Sequence, residues 1–206
     1  MRLGGLVSGL SFEGLRGRKT LIVGEVASGK TRLTRLLLRE ALGLGERVTV
    51  LDFAPPRGFE RGRPLGGRLL VPGLKVDQEL RSPNLHTPRL SGATAQEVEA
   101  LARANAVETT RLIQRFLGSP TPCLFVNDVS IHLQAGELGV LWEAMEAAET
   151  VVANGYLGGF LRDDKGSGVS RRERGLMLEL VSRVDRVIHL SGEETGLVEQ
   201  LSGRFE

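Results

Sequence analysis

Several residue types are scarce in this chain of 206 residues, and each scarcity excludes something. A single cysteine, Cys123, rules out an internal disulfide; beside an apolar run, it reads as a small buried hydrophobe in a reducing compartment. Aromatic residues make up 4% of the chain, which leaves few platforms for stacking single-stranded bases. Lysine occurs only as Lys19, Lys30, Lys75 and Lys165, so nearly all the basic side chains are arginine. No apolar run reaches the roughly 18 residues of a membrane-spanning helix, and the opening MRLGGLVSGLSFEGLRGRK lacks the apolar stretch and cleavage site of a secretory leader. The expectation is a soluble, cytoplasmic protein with no membrane partner. A net charge of +2 makes no case for a polyanion, so nucleic acid is not indicated as a partner. His86, His132 and His189 share no metal-ligand spacing with Cys123, which argues against structural zinc.

What remains is ordinary globular material: 41% hydrophobic and 25% charged residues, enough for one domain spanning 1–206. Short β-branched runs alternate with helical periodicity, the mark of a mostly parallel sheet covered by helices. Strands are expected at 20–23, 48–51, 123–126, 150–153 and 187–190. Helices are expected from Lys30 to about Leu42, from the Thr94-Ala95-Gln96-Glu97 capping box to Leu117, from Glu137 to Ala148, and from Ser170 to about Val184. Ser170-Arg171-Arg172-Glu173 has the spacing of a second capping box. A short C-terminal helix is expected to finish the chain. Asn105 and Thr109 interrupt the apolar stripe of the long helix, predicting incomplete burial there. Between about 53 and 92, prolines, glycines and the arginines 57, 61, 63 and 68 break all periodicity, and only 68–71 resembles a strand. So long an irregular segment reads as an insertion over a site or at a partner surface.

The strongest motif is Gly24-Glu25-Val26-Ala27-Ser28-Gly29-Lys30-Thr31, which fits G-x-x-x-x-G-K-[ST]. An apolar strand precedes it and an amphipathic helix follows, the context in which glycines let backbone N–H groups turn inward around phosphates. Gly24 to Arg32 would then contact the nucleotide. Lys30 would bridge the β- and γ-phosphates, Thr31 would offer its hydroxyl to Mg²⁺, and the helix would point its positive end at the same anion.

Further polar residues stand at strand ends. Asp128 closes the apolar run Leu124–Asn127, where an aspartate holds a metal-bound water beside Mg²⁺ or simply turns the chain. Asp52 ends the second strand and is open to three readings: general base for the attacking water, second-shell Mg²⁺ partner, or turn residue before Pro55. Asn154 is a γ-phosphate sensor or half of an Asn-Gly turn. Because ligands of open α/β sheets sit beyond the carboxyl ends of strands, Asp52, Asp128 and Asn154 are expected to share one crevice with the loop. Arg171, Arg172 and Arg174 open a helix where positive charge is mildly unfavourable; phosphate contact, nucleic acid contact, a trans-acting finger role and plain solvation are all open to them.

In the order of these parts over roughly residues 10 to 190, the chain resembles the RecA/KaiC-like branch of the P-loop NTPases. The resemblance runs through LSFEGLRGRKTLIVG, GEVASGKT, an acid at Asp52, CLFVNDVS, VVANGYLGG and VDRVIHLS. VNDVSIHLQAG and NGYLGG are also similar to a group of archaeal P-loop proteins. The resemblance implies a three-layer fold whose five-stranded core has the order 5-1-4-3-2. It implies Lys30, Asp52 as base and Asn154 as sensor for catalysis, although the branch usually carries the longer glutamate where Asp52 stands. It further implies an ATPase that couples Mg²⁺ and ATP to conformational change or assembly, with a homo-oligomer compatible. No N/T-K-x-D guanine-reading motif is present, which favours ATP over GTP. Two alternatives stay open: a kinase with the 57–68 arginine segment as acceptor lid, and a nucleotide-gated binding module without turnover.

Overall fold

A computed structural model of the chain describes residues 10–55, 58–60, 63–65, 67–191 and 197–201, of which 58–60, 63–65 and 197–201 are described by their backbone alone. A short 3-10 helix at Glu13–Leu15 leads into β1 (Lys19–Gly24), α1 (Lys30–Gly43) and β2 (Val48–Asp52). A two-stranded hairpin follows, β3 (Gly58–Glu60) and β4 (Arg63–Leu65), and then β5 (Gln78–Arg81) and the single turn α2 (Pro88–Ser91). The remainder is α3 (Ala95–Leu117), β6 (Cys123–Asn127), α4 (Val129–Leu133), α5 (Leu138–Glu146), β7 (Thr150–Tyr156), α6 (Val169–Arg183), β8 (Arg186–Leu190) and β9 (Leu197–Leu201).

The main sheet has the order β5-β2-β6-β7-β1-β8-β9, with every pairing parallel except β8–β9. Its central five strands reproduce the expected order. Six parallel strands stand where five were expected, because β5 lies inside the segment read as irregular. Residues 68–71, expected to be a strand, are not one. The expected C-terminal helix is also replaced, since 197–201 pair antiparallel with β8.

Alternation along each strand sorts the core into two layers, because successive side chains point to opposite faces. Leu21, Val23, Leu51, Leu124, Val126, Val151 and Ala153 pack with Ile113 and Phe116 of α3, Met145 of α5 and Met177 of α6. Ile22, Val48, Val50, Phe125 and Val152 pack on the other face with Leu33, Leu37, Leu38 and Ala41 of α1 and with Phe12 and Leu15. There Phe12 and Phe125 stack with ring centroids 6.0 Å apart. Truncating Phe125 would cost roughly 3–5 kcal/mol.

Two local expectations are corrected. Asn105 and Thr109 are fully buried, not half-wet. Asn105 exchanges hydrogen bonds with the His86 backbone, and Thr109 is bonded to the Asn105 carbonyl and to His132 Nδ1, so each polar group has a partner that makes burial affordable. The second capping box does not form. α6 begins after Gly168 at φ 79°, the Ser170 N–H donates to Asp164, and Glu173 turns inward to a different partner. At the first, the Thr94 cap is made, Thr94 Oγ1 accepting from Glu97 N, while the Glu97 carboxylate accepts from Ala93 N, one residue before the N-cap.

Candidate functional site

Gly24 to Thr31 form the turn between β1 and α1, on the line where the two central strands β7 and β1 end. Gly24 has φ 156°, and a Cβ there would meet the Leu190 carbonyl oxygen at 2.4 Å, so no larger residue fits without moving β8. Gly29 has φ 92° and open space around it. Between them Ala27 also lies at positive φ, 60°, a strain of roughly 1–2 kcal/mol for a residue with a Cβ. The loop borders an open cavity of about 340 Å³, walled also by Arg35, Asn127, Asp128, Asn154 and Tyr156.

Lys30 Nζ is folded back onto the loop, donating to the carbonyls of Gly24 (3.0 Å) and Glu25 (2.6 Å). Burial lowers its ammonium to about 8, against the raising influence of Asp128 and Glu25. Glu25 is tied down rather than pointing at the cavity. Its carboxylate accepts from its neighbour Val26 N (2.7 Å) and from Gly159 N (2.8 Å) and Phe160 N (3.1 Å) beyond β7. Burial would raise this carboxyl; the three backbone N–H groups outweigh it and hold it below the usual carboxylate range.

The strand-end residues meet for a reason visible in the alternation. Val50, Phe125 and Val152 face α1, so two positions on, Asp52, Asn127 and Asn154 face it too. Register places Asp52 beside Asn127. Asn127 Nδ2 donates to Asp52 Oδ1 (2.7 Å) and to the Gly67 carbonyl (2.8 Å), and Asn127 Oδ1 accepts from Asn154 Nδ2 (3.0 Å) and from Thr31 Oγ1 (3.4 Å). Asn154 also donates to Thr34 Oγ1 (2.9 Å), and its Oδ1 accepts from Asp128 N (3.1 Å). Asp52 is 3% exposed, and its carboxylate further accepts from Ala54 N and Leu69 N. Burial raises its carboxyl, opposed by these three donors.

Asp128 follows β6 in a left-handed conformation, φ 62°. Its carboxylate accepts from Ser130 and faces Lys30 and Arg89; burial raises it against those three influences. Among the polar strand-end residues it is the carboxylate least engaged by donors on the cavity wall. Thus Lys30, Thr31, Asp52, Asn127, Asp128 and Asn154 are brought together, with Asn127, not Asp128, in contact with Thr31. Arg32 lines the same cavity. Of the 57–68 arginine segment, Arg57, Arg61 and the side chain of Arg63 lie outside the described residues, while the Arg68 carbonyl accepts from Arg35.

Sequence reasoning did not find the group behind Asp128. Arg89, 8% exposed, makes a two-point ion pair with Glu173 (3.1 and 3.0 Å), and Gln134 Nε2 donates to the same carboxylate (2.8 Å). Burial pushes the Glu173 carboxyl up to about 7 against the pull of Arg89 and Gln134. Arg89 also lies 5.5 Å from the Tyr156 ring centre. Its only sequence signal was an arginine in a proline-led turn, which carries no chemistry until α6 is packed beside it.

No group of three or more His, Cys, Asp or Glu side chains among the described residues could hold a metal ion. No helix among them is long and apolar enough to cross a membrane. No family model matches the chain, and no curated protein matches it. Among solved structures, it is similar to the VirB11 ATPase of the Brucella suis type IV secretion system in complex with sulphate, at TM-score 0.48 and 16% identity. That match covers 91% of this chain and 47% of the VirB11 chain, so this chain spans about half its length. It is also similar to PH0250 from Pyrococcus horikoshii OT3 (TM-score 0.40, 10% identity, 94% and 93% covered). A third likeness is to the flagellar accessory protein FlaH from Methanocaldococcus jannaschii (TM-score 0.39, 8% identity, 84% and 71% covered).

Proposed function

We propose that this chain binds a nucleoside triphosphate, ATP in preference to GTP, together with Mg²⁺ at the Gly24–Thr31 loop, and hydrolyses it to drive conformational change or assembly. The observation that carries the reading is the loop itself: a strained turn with a glycine at each end, joined to a 14-residue helix and opening on a cavity that Lys30, Thr31 and Asp128 share. On binding, the Lys30 ammonium leaves its carbonyl partners for phosphate oxygens, the backbone N–H groups hold the β-phosphate, and the α1 dipole favours the anion.

The donor set suits a hard cation held loosely. Thr31 Oγ1, Asn127 Oδ1 and the Asp128 carboxylate are all oxygen, and one carboxylate with phosphate oxygens is the usual company of Mg²⁺, so the lack of an all-protein cage is in keeping. Mg²⁺, when bound, neutralises charge on the phosphates. In this reading Thr31 and Asp128 would hold it. Asp52 acts as a positioning residue: its carboxylate fixes the amide of Asn127, which in turn orients Thr31 and Asn154. A base with three donors on its oxygens has little capacity left for a water proton.

That engagement of Asp52 favours one second reading, a nucleotide-gated module with negligible turnover. Phosphate release and ATP binding measured on wild type, Lys30→Ala, Asp52→Asn and Asp128→Asn separate the two. Hydrolysis lost with Asp128→Asn but largely kept with Asp52→Asn is expected. ATP binding without release in wild type selects the second reading, and ATP binding equal in wild type and Lys30→Ala removes both.

A further inference from the structure

Across Tyr156 and Leu161 from the loop cavity lies a larger one, about 510 Å³, within the range of small-molecule sites. Its wall combines Tyr156, Leu157 and Leu161 from the end of β7 and the turn beyond it with Arg162 and, from the first turns of α6, Arg171 and Arg174. The three arginines are exposed, and none makes a hydrogen bond or ion pair to another described residue. Some other surface arginines are matched, Arg103 with Glu99, Arg111 with Glu108, Arg172 with Glu137 and Arg183 with Glu179; what sets Arg162, Arg171 and Arg174 apart is that they share one concave wall.

Nearby acids do not neutralise the three. Glu173, at the back of the cavity, is consumed by Arg89 and Gln134. Asp163 pairs with Lys165, and Asp164 accepts from the Gly166 and Ser170 N–H groups. Glu25 is held by the N–H groups of Gly159 and Phe160. Arg171 also stands in the first turn of a 15-residue helix, where positive charge is unfavourable against the dipole, and Arg174, three residues on, adds mutual repulsion. Three guanidinium groups without a partner among the described residues thus concentrate positive charge on one concave wall, and the planar fork of arginine suits phosphate oxygens.

We propose that this cavity is a second anion site, separate from the nucleotide loop, that takes a phosphate-bearing ligand. Arg162, Arg171 and Arg174 contact the phosphate, the Arg89–Glu173 pair forms a fixed neutral floor, and Tyr156 with Leu157 and Leu161 covers the apolar body. The site does not depend on the nucleotide reading, and the test keeps the two apart.

The probe is inorganic pyrophosphate, titrated calorimetrically at low salt into wild type, Lys30→Ala, the double variant Arg171→Gln/Arg174→Gln, and all three substitutions together. Two sites are expected in wild type, one in Lys30→Ala, one in the double variant and none in the combination, with the second site weakened at least tenfold by the arginine changes. All three substituted side chains are at least partly exposed, and unchanged thermal melts confirm folding. A single pyrophosphate site abolished by Lys30→Ala would overturn the proposal, as would two sites retained in the double variant. Loss of the Lys30-dependent site alone would instead remove the nucleotide reading and leave this one standing. Arginine-dependent binding of an unphosphorylated single-stranded oligonucleotide, tighter than pyrophosphate in the Lys30→Ala background, would replace the phosphate pocket with a groove for a polynucleotide backbone.

Discussion

The two cavities that meet at Tyr156 treat polar groups in opposite ways. At the loop cavity Asp52, Asn127 and Asn154 are within 3% of full burial, and each is bonded to at least two partners. At the second, Arg162, Arg171 and Arg174 are exposed with no protein partner among the described residues. The first arrangement is finished before any ligand arrives: its geometry is fixed by register and alternation, and little reorganisation is needed. The second, on our proposal, is completed by an anion. A buried network contributes to folding and presents a shape, whereas an unmatched surface charge does little for folding and acts on whatever comes near.

Substitutions sharpen that contrast, beginning with the wall between the cavities. Glu173→Ala leaves Arg89 as a buried charge without its partner and is expected to cost about 3–5 kcal/mol, read as a fall in the urea midpoint with unchanged slope. Asp52→Ala removes an acceptor from Ala54 N, Leu69 N and Asn127 Nδ2; a loss of roughly 2–3 kcal/mol in the same assay is expected, with Asp52→Asn costing less because one acceptor oxygen survives. Lys30→Ala should leave the melt nearly unmoved while weakening ATP binding by about 2 kcal/mol, roughly thirtyfold, in an equilibrium titration. The smallest effect is expected at the arginine wall: Arg171→Gln/Arg174→Gln should change stability by no more than about 0.5 kcal/mol, and upward, because helix-dipole and mutual repulsion are relieved. A large loss of stability there would break the comparison, since it would mean that the arginines are matched after all.

Much of the fold was legible because it rests on local periodicity. The apolar strand runs and the helices behind them marked five strands, and their order, implied by the resemblance to the RecA/KaiC-like branch, is the order of the central five in the sheet. β5 was hidden because Gln78-Glu79-Leu80-Arg81 has one buried residue in four and forms an edge strand through backbone pairing with β2. β9 escaped for a similar reason: its sequence fits a helix about as well, and pairing with β8 decides it. At the site, the loop and the strand-end acids could be named from spacing, but not who bonds to whom. The sequence made Asn127 a neighbour of the important aspartate; register with β2 made it the hub that joins Asp52, Thr31 and Asn154. Arg89 and Glu173, 84 residues apart, had no local signature at all.

Tyr156 is the chain's one tyrosine, and its hydroxyl accepts from Leu161 N and donates to Glu25 of the loop, while its ring lies beneath the Arg89 guanidinium and borders both cavities. The molecule therefore contains its own spectroscopic reporter. A protein labelled with ¹³C only in tyrosine gives signals from a single ring, and phosphate arriving at the loop or at the arginine wall should shift them along two different directions. Simultaneous occupancy would appear as the sum of the two displacements if the cavities fill independently, and as a departure from that sum if filling one alters the other.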